Sequence, residues 1–403
     1  KYIKLIKLAA KKDLFFKLKV VQNKYISYLL SFFLGRDYYK FCNKSAYDTI
    51  KELTSNELLI SVLCGQFGDY GPTPKKASFF IHASIVNHYL EGGYYPAGGP
   101  SQIVKKIIPT IEKAGGVVLV GKKVETILIE KNKAIGVKME NGDLIYSNKV
   151  VSSVGIYNTF QKLITNPKIS NKYKNIFQNI KHSTGHIYLF VKLKGNPRDL
   201  QLRSSNIWNW PNRDYDKMLD DFEKDPMNAP LPYFMGFSCM KDYQWESNYK
   251  NVSNAIILTI GDLSQFKKWE NERCMNRSED YKELKEKYAQ RLLEEALFKN
   301  YPHLRDKVLS YEVATPLTSQ FYLNSFNGES YGLNTNSYRY LKAYNLKPKT
   351  CVENLYLTGQ DICSIGFTGA LMSGLITTNS ILGYGSFIDI LIGRDFLKDI
   401  KNI

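Results

Sequence analysis

Apolar and polar residues recur at helical spacing through the first ninety residues of the chain. Residues 3–8 form one apolar cluster among lysines, and residues 15–18 form a second. Positions three and four residues apart fall on one face of a helix, so the pattern predicts amphipathic helices. Such helices either pack together with a solvated outer face, which is the interpretation we adopt, or lie on a membrane surface.

A second helical pattern follows a glycine-rich turn and starts after Pro100. Isoleucine and valine recur on one stripe from Ile103 to Ile111. Proline is suited to the first helical turn, and the glycine pair at residues 115–116 predicts where the helix ends. Pro109 lies inside the pattern and predicts a kink.

Three short stretches then predict strands: VETILIE at 124–130, KAIGVKM at 133–139 and DLIYS at 143–147. An Asn-Gly pair between the second and third favours a tight hairpin turn. Residues 149–153 follow, and their apolar run predicts a buried strand that returns to a sheet.

Residues 158–348 form a long region of mixed pattern. Two aromatic patches, NIWNWP at 206–211 and LPYFMGF at 231–237, precede a strongly charged helical stretch at 278–297. The charged stretch is interpreted as a solvated helix face. Aromatic patches are typical of a core, but their density also leaves room for a large apolar pocket.

The segment LYLTGQDICSIGFTGALMSGLITTNSILG, at residues 355–383, combines a short apolar strand, a glycine-spaced turn and a helix of small residues. This arrangement lets a backbone press against a phosphate or a flat cofactor. A dinucleotide site usually opens with GxGxxG, a spacing that none of the chain's glycines shows. The sequence therefore contains the closing part of such a site without the opening part.

Composition limits the class of protein. The 403 residues are 44% hydrophobic and 13% aromatic, which is enough for a large core and more than one domain. The net charge of +17 suits an anionic membrane surface at least as well as nucleic acid, or reflects a genome-wide lysine bias. Without a zinc knuckle, an RNA-binding signature or an arginine-rich segment, we expect no nucleic-acid partner.

The six cysteines are scattered and include no CxxC pair, which predicts isolated thiols in a reducing compartment and no metal site. The apolar run at residues 28–34 is too short to cross a membrane. Because the chain begins without Met, the absence of a targeting segment establishes nothing.

Four motifs in this order resemble the phytoene desaturase-like flavoproteins, and within them the branch of all-trans-retinol 13,14-reductases (retinol saturases) and carotenoid isomerases. The motifs are GDYG (68–71), SFFIHASIVNHYLEGGYYPAGG (78–99), ATPLTSQFYLNSFNGESYGL (314–333) and NLYLTGQDICSIGFTGALMSG (354–374). Together they extend over most of the chain, and it is their order that makes the resemblance specific.

The resemblance implies an α/β fold with mixed α+β character: a discontinuous Rossmann-like FAD-binding domain without its first segment, and a helix-rich, mixed-sheet substrate domain. It implies FAD-binding segments at 92–160 and 349–385, substrate-domain parts at 1–91 and 161–348, and an amphipathic tail at 386–403. The first segment is expected to be missing through truncation, or to be encoded separately. Alone, the chain is then expected to bind FAD weakly and to be inactive.

The resemblance also implies which residues contact FAD: Gly98, Gly99, Val124, Ser153, Gly359, Asp361, Phe367, Thr368, Gly369 and Ala370. Gly98 and Gly99 would approach the isoalloxazine, Val124 and Ser153 the adenosine, and Asp361 the ribityl or pyrophosphate. Backbone N–H groups of residues 367–370 would stabilise negative charge on the reduced flavin. Pro100 departs from the family pattern, because a small hydroxyl residue is expected there.

Within this family the substrate would be an apolar polyene such as retinol or a carotenoid, and NAD(P) is a candidate electron donor. Tyr94, Tyr95, His88 and Tyr331 are candidates for a proton donor, and none is assigned a catalytic role. We expect a peripheral membrane protein on the reducing side of the endoplasmic reticulum or a plastid, or else a cytoplasmic one. Two alternatives stay open: an amine oxidase-like flavoenzyme, and a cofactor-free lipid-binding remnant. The sequence does not indicate an oligomeric state.

Overall fold

The computed structural model describes residues 1–14, 16, 24–341 and 346–383. The predicted tail at 386–403 and the apolar positions 15 and 18 lie outside the described residues. The α-helices are α1 (Tyr2–Lys11), α2 (Lys24–Asn43), α3 (Ala46–Lys51), α4 (Glu57–Cys64), α5 (Phe79–Tyr89), α6 (Ser101–Lys113), α7 (Pro167–Ser170), α8 (Lys174–Asn179), α9 (Tyr215–Lys224), α10 (Trp245–Asn248), α11 (Glu279–Leu292), α12 (Pro316–Leu323), α13 (Ser337–Leu341) and α14 (Gly366–Leu382).

The strands form three sheets within the described residues. They are β1 (Val124–Glu130), β2 (Lys133–Met139), β3 (Leu144–Tyr146), β4 (Val150–Ser152), β5 (His186–Lys194), β6 (Ile207–Asn209), β7 (Tyr233–Gly236), β8 (Val252–Ile260), β9 (Val308–Ala314) and β10 (Leu355–Leu357). The sheet orders are β1-β2-β3, β10-β4 and β6-β7-β8-β5-β9.

The N-terminal helices form a packed layer. Ile6 and Ala9 of α1 are fully buried, and the Tyr2 hydroxyl lies 2.7 Å from Nε2 of His82 on α5. Ser45, Asn56 and the residue before α5 each accept a backbone N–H with their side chains and so begin helices α3, α4 and α5. Helix α1 is therefore packed, as the adopted interpretation predicted.

Helix α2 exposes large apolar side chains to solvent. Tyr28, Phe32 and Phe33 are each at least 70% exposed, and Leu29 and Leu34 are about half exposed. No helix among the described residues combines the length and apolar character that a membrane crossing requires.

The predicted three-stranded meander is present. β1 pairs antiparallel with β2, and β2 with β3, and Gly142 has the positive φ that the Asn-Gly turn between β2 and β3 requires (+91°). The predicted returning strand is β4, which pairs parallel with the closing strand β10 in the register Val150 to Leu355. The carboxyl ends of β4 and β10 therefore meet at one edge.

The resemblance implied a mixed sheet in the substrate domain without identifying its strands; the largest sheet is antiparallel throughout. β5 and β8 pair over nine residues, from His186 opposite Ile260 to Lys194 opposite Val252. Alternate residues of β5 are buried, including Leu189 and Leu193. Tyr288 and other buried residues of α11 join the same core, so the charged helix is solvated on one face only.

Helix α6 forms at the predicted place and continues through Pro109 without interruption. None of its thirteen residues, all of them described, is buried. Val104, Ile107 and Ile111 on its apolar stripe are exposed, as are the valines and leucine at residues 117–120 that follow it.

Candidate functional site

The closing strand β10 leads through a turn into the amino terminus of α14. The residue before α14, Ile365, offers no side-chain cap, so the N–H groups of Phe367 and Thr368 in the first turn have no intrahelical acceptor. Gly366 has φ +73° and donates its N–H to Oε1 of Gln360 at 3.1 Å. The helix therefore starts with backbone donors and a positive dipole end.

A cavity of about 550 Å³ opens at this helix terminus, within the range of known ligand sites. We call it the helix cavity. One wall consists of the turn and first turn of α14, residues 363–369, together with Met372. The opposite wall comes mainly from α5 and includes Phe80, Ile81, Ser84, Ile85 and His88.

The helix cavity fits a flat, anionic cofactor. A Cβ on residue 369 would overlap the carbonyl oxygen of Ser364, so glycine is required where the turn and helix pack together. The wall thus combines uncapped N–H groups, glycine backbone and apolar side chains. Those features can bind a planar ring system that gains negative charge. Among the described residues, no cluster of His, Cys, Asp and Glu is placed to hold a metal ion.

Asp361 has both carboxylate oxygens engaged by backbone. Oδ2 accepts the N–H of Ile156 at 2.9 Å, and Oδ1 accepts that of Leu333 at 3.1 Å. A Cβ on Gly332 would approach Oδ1 to 2.5 Å. The buried carboxylate therefore braces three chain segments in the protein itself, while a contact with the cofactor stays a prediction.

Ser153 and Gly359 lie beside this brace, at the carboxyl ends of β4 and β10. Gly359 has φ +96°, and its Cβ position is 3.3 Å from the carbonyl oxygen of Ser153. Its N–H donates to the hydroxyl of Ser373 on α14. Ala370 is partly buried in the first turns of α14. The structure thus groups seven of the ten predicted residues around β10 and α14, with Phe367, Thr368, Gly369 and Ala370 in the first turns of the helix.

The other predicted residues lie elsewhere. Gly98, with φ +80°, donates its N–H to Asp242 Oδ1 at 2.9 Å. Gly99, with φ +87°, has no described atom within 4 Å of its Cβ position. Val124 begins β1, paired with Met139. None of these three lines the helix cavity.

A second cavity, of about 130 Å³, lies against the five-stranded sheet, and we call it the aromatic cavity. Trp208 and Trp210, from the first aromatic patch, stack with ring centroids 5.6 Å apart, and Phe234 from the second patch packs edge-on against Trp208. A Cβ on Gly68 would overlap the Trp208 ring, so the GDYG glycine makes room for the indole. Both aromatic patches therefore line a pocket as well as the core.

Two polar side chains of the aromatic cavity, His186 and Tyr188, share Ser330 as a hydrogen-bond partner. Nδ1 of His186 is 2.7 Å from the Ser330 hydroxyl, which is 3.0 Å from the Tyr188 hydroxyl. Burial lowers the pKa of His186 to about 4, so the imidazole is neutral near neutral pH. The cavity therefore offers hydrogen bonds without a fixed positive charge.

Asp69 and Tyr331 line both cavities and form the wall that the two share. Burial raises the pKa of both side chains. Tyr331 was a candidate from the sequence, whereas Asp69 and His186 were missed. The available signal for Asp69 was an acidic residue between two glycines in an otherwise apolar stretch. Of the remaining candidates, His88 lines the helix cavity, and Tyr94 is 94% exposed.

The known proteins that are similar to this chain form a consistent set. No family model matches the chain. It is 34% identical over 359 residues to all-trans-retinol 13,14-reductase of Danio rerio, covering 85% of this chain and 58% of that protein. The human protein of that name is 32% identical over 372 residues, covering 89% and 59%. Prolycopene isomerase of Daucus carota is 26% identical over 307 residues, covering 72% and 45%.

The chain thus spans less than two thirds of the length of the curated relatives that it matches. Among solved structures, an oxidoreductase from Methanosarcina mazei aligns with a TM-score of 0.56 at 14% identity, covering 84% of this chain and 68% of that one. Putrescine oxidase aligns with a TM-score of 0.59 at 12% identity, covering 95% and 76%. These likenesses confirm the predicted α/β fold. The four motifs and the sequence identities together confirm the resemblance of the chain to the all-trans-retinol 13,14-reductases and, more distantly, to the prolycopene isomerases.

Proposed function

We propose that the protein is an FAD-dependent oxidoreductase that acts on a C=C bond of a conjugated isoprenoid. The observation that carries this proposal is the shared wall between the helix cavity and the aromatic cavity. A cofactor at the amino terminus of α14 and an apolar chain among Trp208, Trp210 and Phe234 would meet at Asp69 and Tyr331. Saturation of a retinol-like polyene is the leading reaction, and isomerisation is the second.

FAD, when bound, supplies hydride transfer and electron storage, and NAD(P) is proposed as its external donor. This chain's contribution is binding and orientation. The N–H groups of Phe367 and Thr368 can donate to negatively charged atoms of the cofactor. Gly359 and Ser153 let the cofactor approach the backbone closely at the sheet edge. We assign β4, β10 and α14 to the cofactor domain, and the helical layer with the five-stranded sheet to the substrate domain.

The aromatic cavity supports a neutral, apolar substrate. Burial of apolar surface favours binding by about 25 cal/mol per Å². A protonated amine would lose hydration there, and burial raises the pKa of Asp69, which makes that carboxyl a weaker counter-charge. The hydroxyl and imidazole groups around Ser330 can bind a polar end group. This argument places the amine oxidase-like alternative second.

We also propose that the protein lies on a membrane surface, from which so insoluble a substrate must be drawn. The exposed aromatic face of α2 supports this, because Phe32 and Phe33 are both more than two thirds exposed. The net charge of +17 would add attraction to anionic lipid.

The test uses protein that contains this chain, reconstituted with FAD and reduced without oxygen. Mixing with all-trans-retinol or a carotene should oxidise the flavin while the polyene absorbance falls. A spectral change of the polyene without net flavin oxidation indicates isomerisation instead.

Two other outcomes contradict the proposal. If oxidised flavin is bleached by a primary amine such as putrescine and no polyene reacts, the protein is an amine oxidase. If retinol quenches tryptophan fluorescence while no FAD is retained, the protein is a lipid-binding remnant. Activity has to be measured directly, because one relative, 31% identical, is named an inactive all-trans-retinol 13,14-reductase.

A further inference from the structure

The shared wall between the two cavities contains one carboxyl group. Asp69 ends the short helical turn Gly65–Asp69. Two residues earlier in this turn, the ring of Phe67 stacks on Trp210 with the ring centroids 4.4 Å apart. It is half-buried and reaches both the helix cavity and the aromatic cavity. A substrate bound among the tryptophans would therefore lie against this carboxyl.

Saturation of a C=C bond needs two groups at once, a hydride for one carbon and a proton for its neighbour. We propose that Asp69 delivers this proton. The inference rests on the proposed function and names the residue that completes it. It follows from position, because Asp69 is the carboxylic acid common to the described walls of both cavities.

Other titratable groups share the walls of the two cavities with Asp69. They are Tyr331, His186, Tyr188 and Tyr233 in the aromatic cavity, and Asp13, His88, Tyr89, Tyr340 and Cys363 in the helix cavity. Burial raises the pKa of Tyr331, which strengthens its hold on the proton. His186 carries no extra proton near neutral pH, since burial lowers its pKa to about 4.

The pKa of Asp69 differs from those of Tyr331 and His186 in the direction that favours proton transfer. Burial raises the pKa of its carboxyl, against a hydrogen bond from Gln66 that acts in the opposite sense. A general acid works best when its pKa lies near the operating pH. A carboxyl whose pKa is raised by burial is still a stronger acid than a buried phenol.

The step balances as follows. A bound, reduced flavin would supply the hydride for one carbon of the double bond and would itself be oxidised by the loss of that electron pair. The π electrons of the double bond take the Asp69 proton at the neighbouring carbon, so the O–H bond breaks as the second C–H bond forms. The carboxylate recovers its proton from water before the next turnover.

The test compares wild type with Asp69→Asn, which keeps the shape and removes the acid. The matched control is Asp143→Asn, the same change at an exposed hairpin carboxyl. We expect Asp69→Asn to lower polyene saturation about 10²- to 10⁴-fold, while the affinity for retinol, measured by tryptophan quenching, stays unchanged. Asp143→Asn should keep wild-type turnover.

An infrared measurement supplies a readout that does not need turnover. The wild-type spectrum should show a protonated-carboxyl band that persists above the pH at which ordinary carboxyls ionise, and that band should be missing from Asp69→Asn. Its absence from the wild type, or unchanged turnover of Asp69→Asn, overturns the inference. So does a Tyr331→Phe variant that loses saturation while Asp69→Asn keeps it. If the wild type itself saturates no polyene, the proposed function fails, and the proton-donor role fails with it.

Discussion

A side chain at position 369 would collide with the carbonyl oxygen of Ser364, so Gly369 fixes how the closing turn meets α14. This relationship couples a backbone packing requirement to the helix terminus that we propose for the cofactor.

Gly369→Ala should therefore destabilise the protein by about 1–3 kcal/mol, because the turn or the helix must shift. The proposed flavin site should weaken with it. Chemical denaturation and flavin retention are the two measurements. Gly374→Ala, in the same helix, is the control: no described atom lies within 4 Å of its Cβ position, and alanine favours the helix by up to about 1 kcal/mol. Equal effects at the two positions would contradict the packing argument.

Asp361→Ala should lower the stability of the protein without cofactor by about 2–4 kcal/mol. The N–H groups of Ile156 and Leu333 would both lose their acceptor inside the protein. Denaturation of FAD-free protein measures this. Loss of FAD binding at unchanged stability would instead show that anchoring the cofactor is the main role. Asp361→Asn keeps one carbonyl acceptor and should fall between wild type and alanine.

Mild acid should loosen the contact between α1 and α5. His82 lies fully buried between the hydroxyls of Tyr2 and Tyr70, and burial lowers its pKa to about 4. In the unfolded chain the imidazole of residue 82 binds a proton near pH 6.5, whereas in the folded protein it stays neutral down to about pH 4. The free energy of unfolding therefore has its full value above pH 6.5 and decreases as the pH falls from 6.5 to 4. The loss approaches about 3 kcal/mol. His82→Gln should flatten the stability profile over this interval, measured by urea denaturation. An unchanged slope would show that the imidazole does not contribute to it.

Replacing the exposed aromatic pair on α2, in the double variant Phe32→Ser and Phe33→Ser, should weaken binding to liposomes. Flotation with and without anionic lipid, at low and high salt, measures the apolar and charged contributions separately. Met275→Ser removes an equally exposed apolar side chain away from α2 and should leave binding unchanged. If lipid charge and salt have no effect on the wild type, the positive charge is compositional rather than a means of docking.

Local patterns predicted the elements whose partners are close in sequence. The meander follows from short strands and an Asn-Gly turn, and β10 with α14 from a glycine-spaced motif. The five-stranded sheet could not be inferred in the same way. β5 alternates buried and exposed residues, but its partner β8 begins at Val252 and β9 at Val308, and such long-range pairing is not encoded in local spacing.

The same distinction between local and long-range contacts applies to the residues of the candidate site. The residues around β10 and α14 were found because their motif is contiguous. Asp69 and His186 were not, because each becomes part of a cavity wall only when the sheet, α5 and the GDYG turn pack together. Helix α6 was predicted correctly from the spacing of its apolar residues. That spacing did not indicate which part of the protein, if any, packs against the apolar stripe.

That uncovered stripe affects how firmly α6 is held. A helix of this length is marginal in water when packing does not support it, and Pro109 removes one of its internal hydrogen bonds. The backbone amides of Ser101–Lys113 should therefore exchange with deuterium much faster than those of the packed helix α5. In the isolated chain, trypsin should cut this stretch before it cuts α5, at lysines that already face solvent.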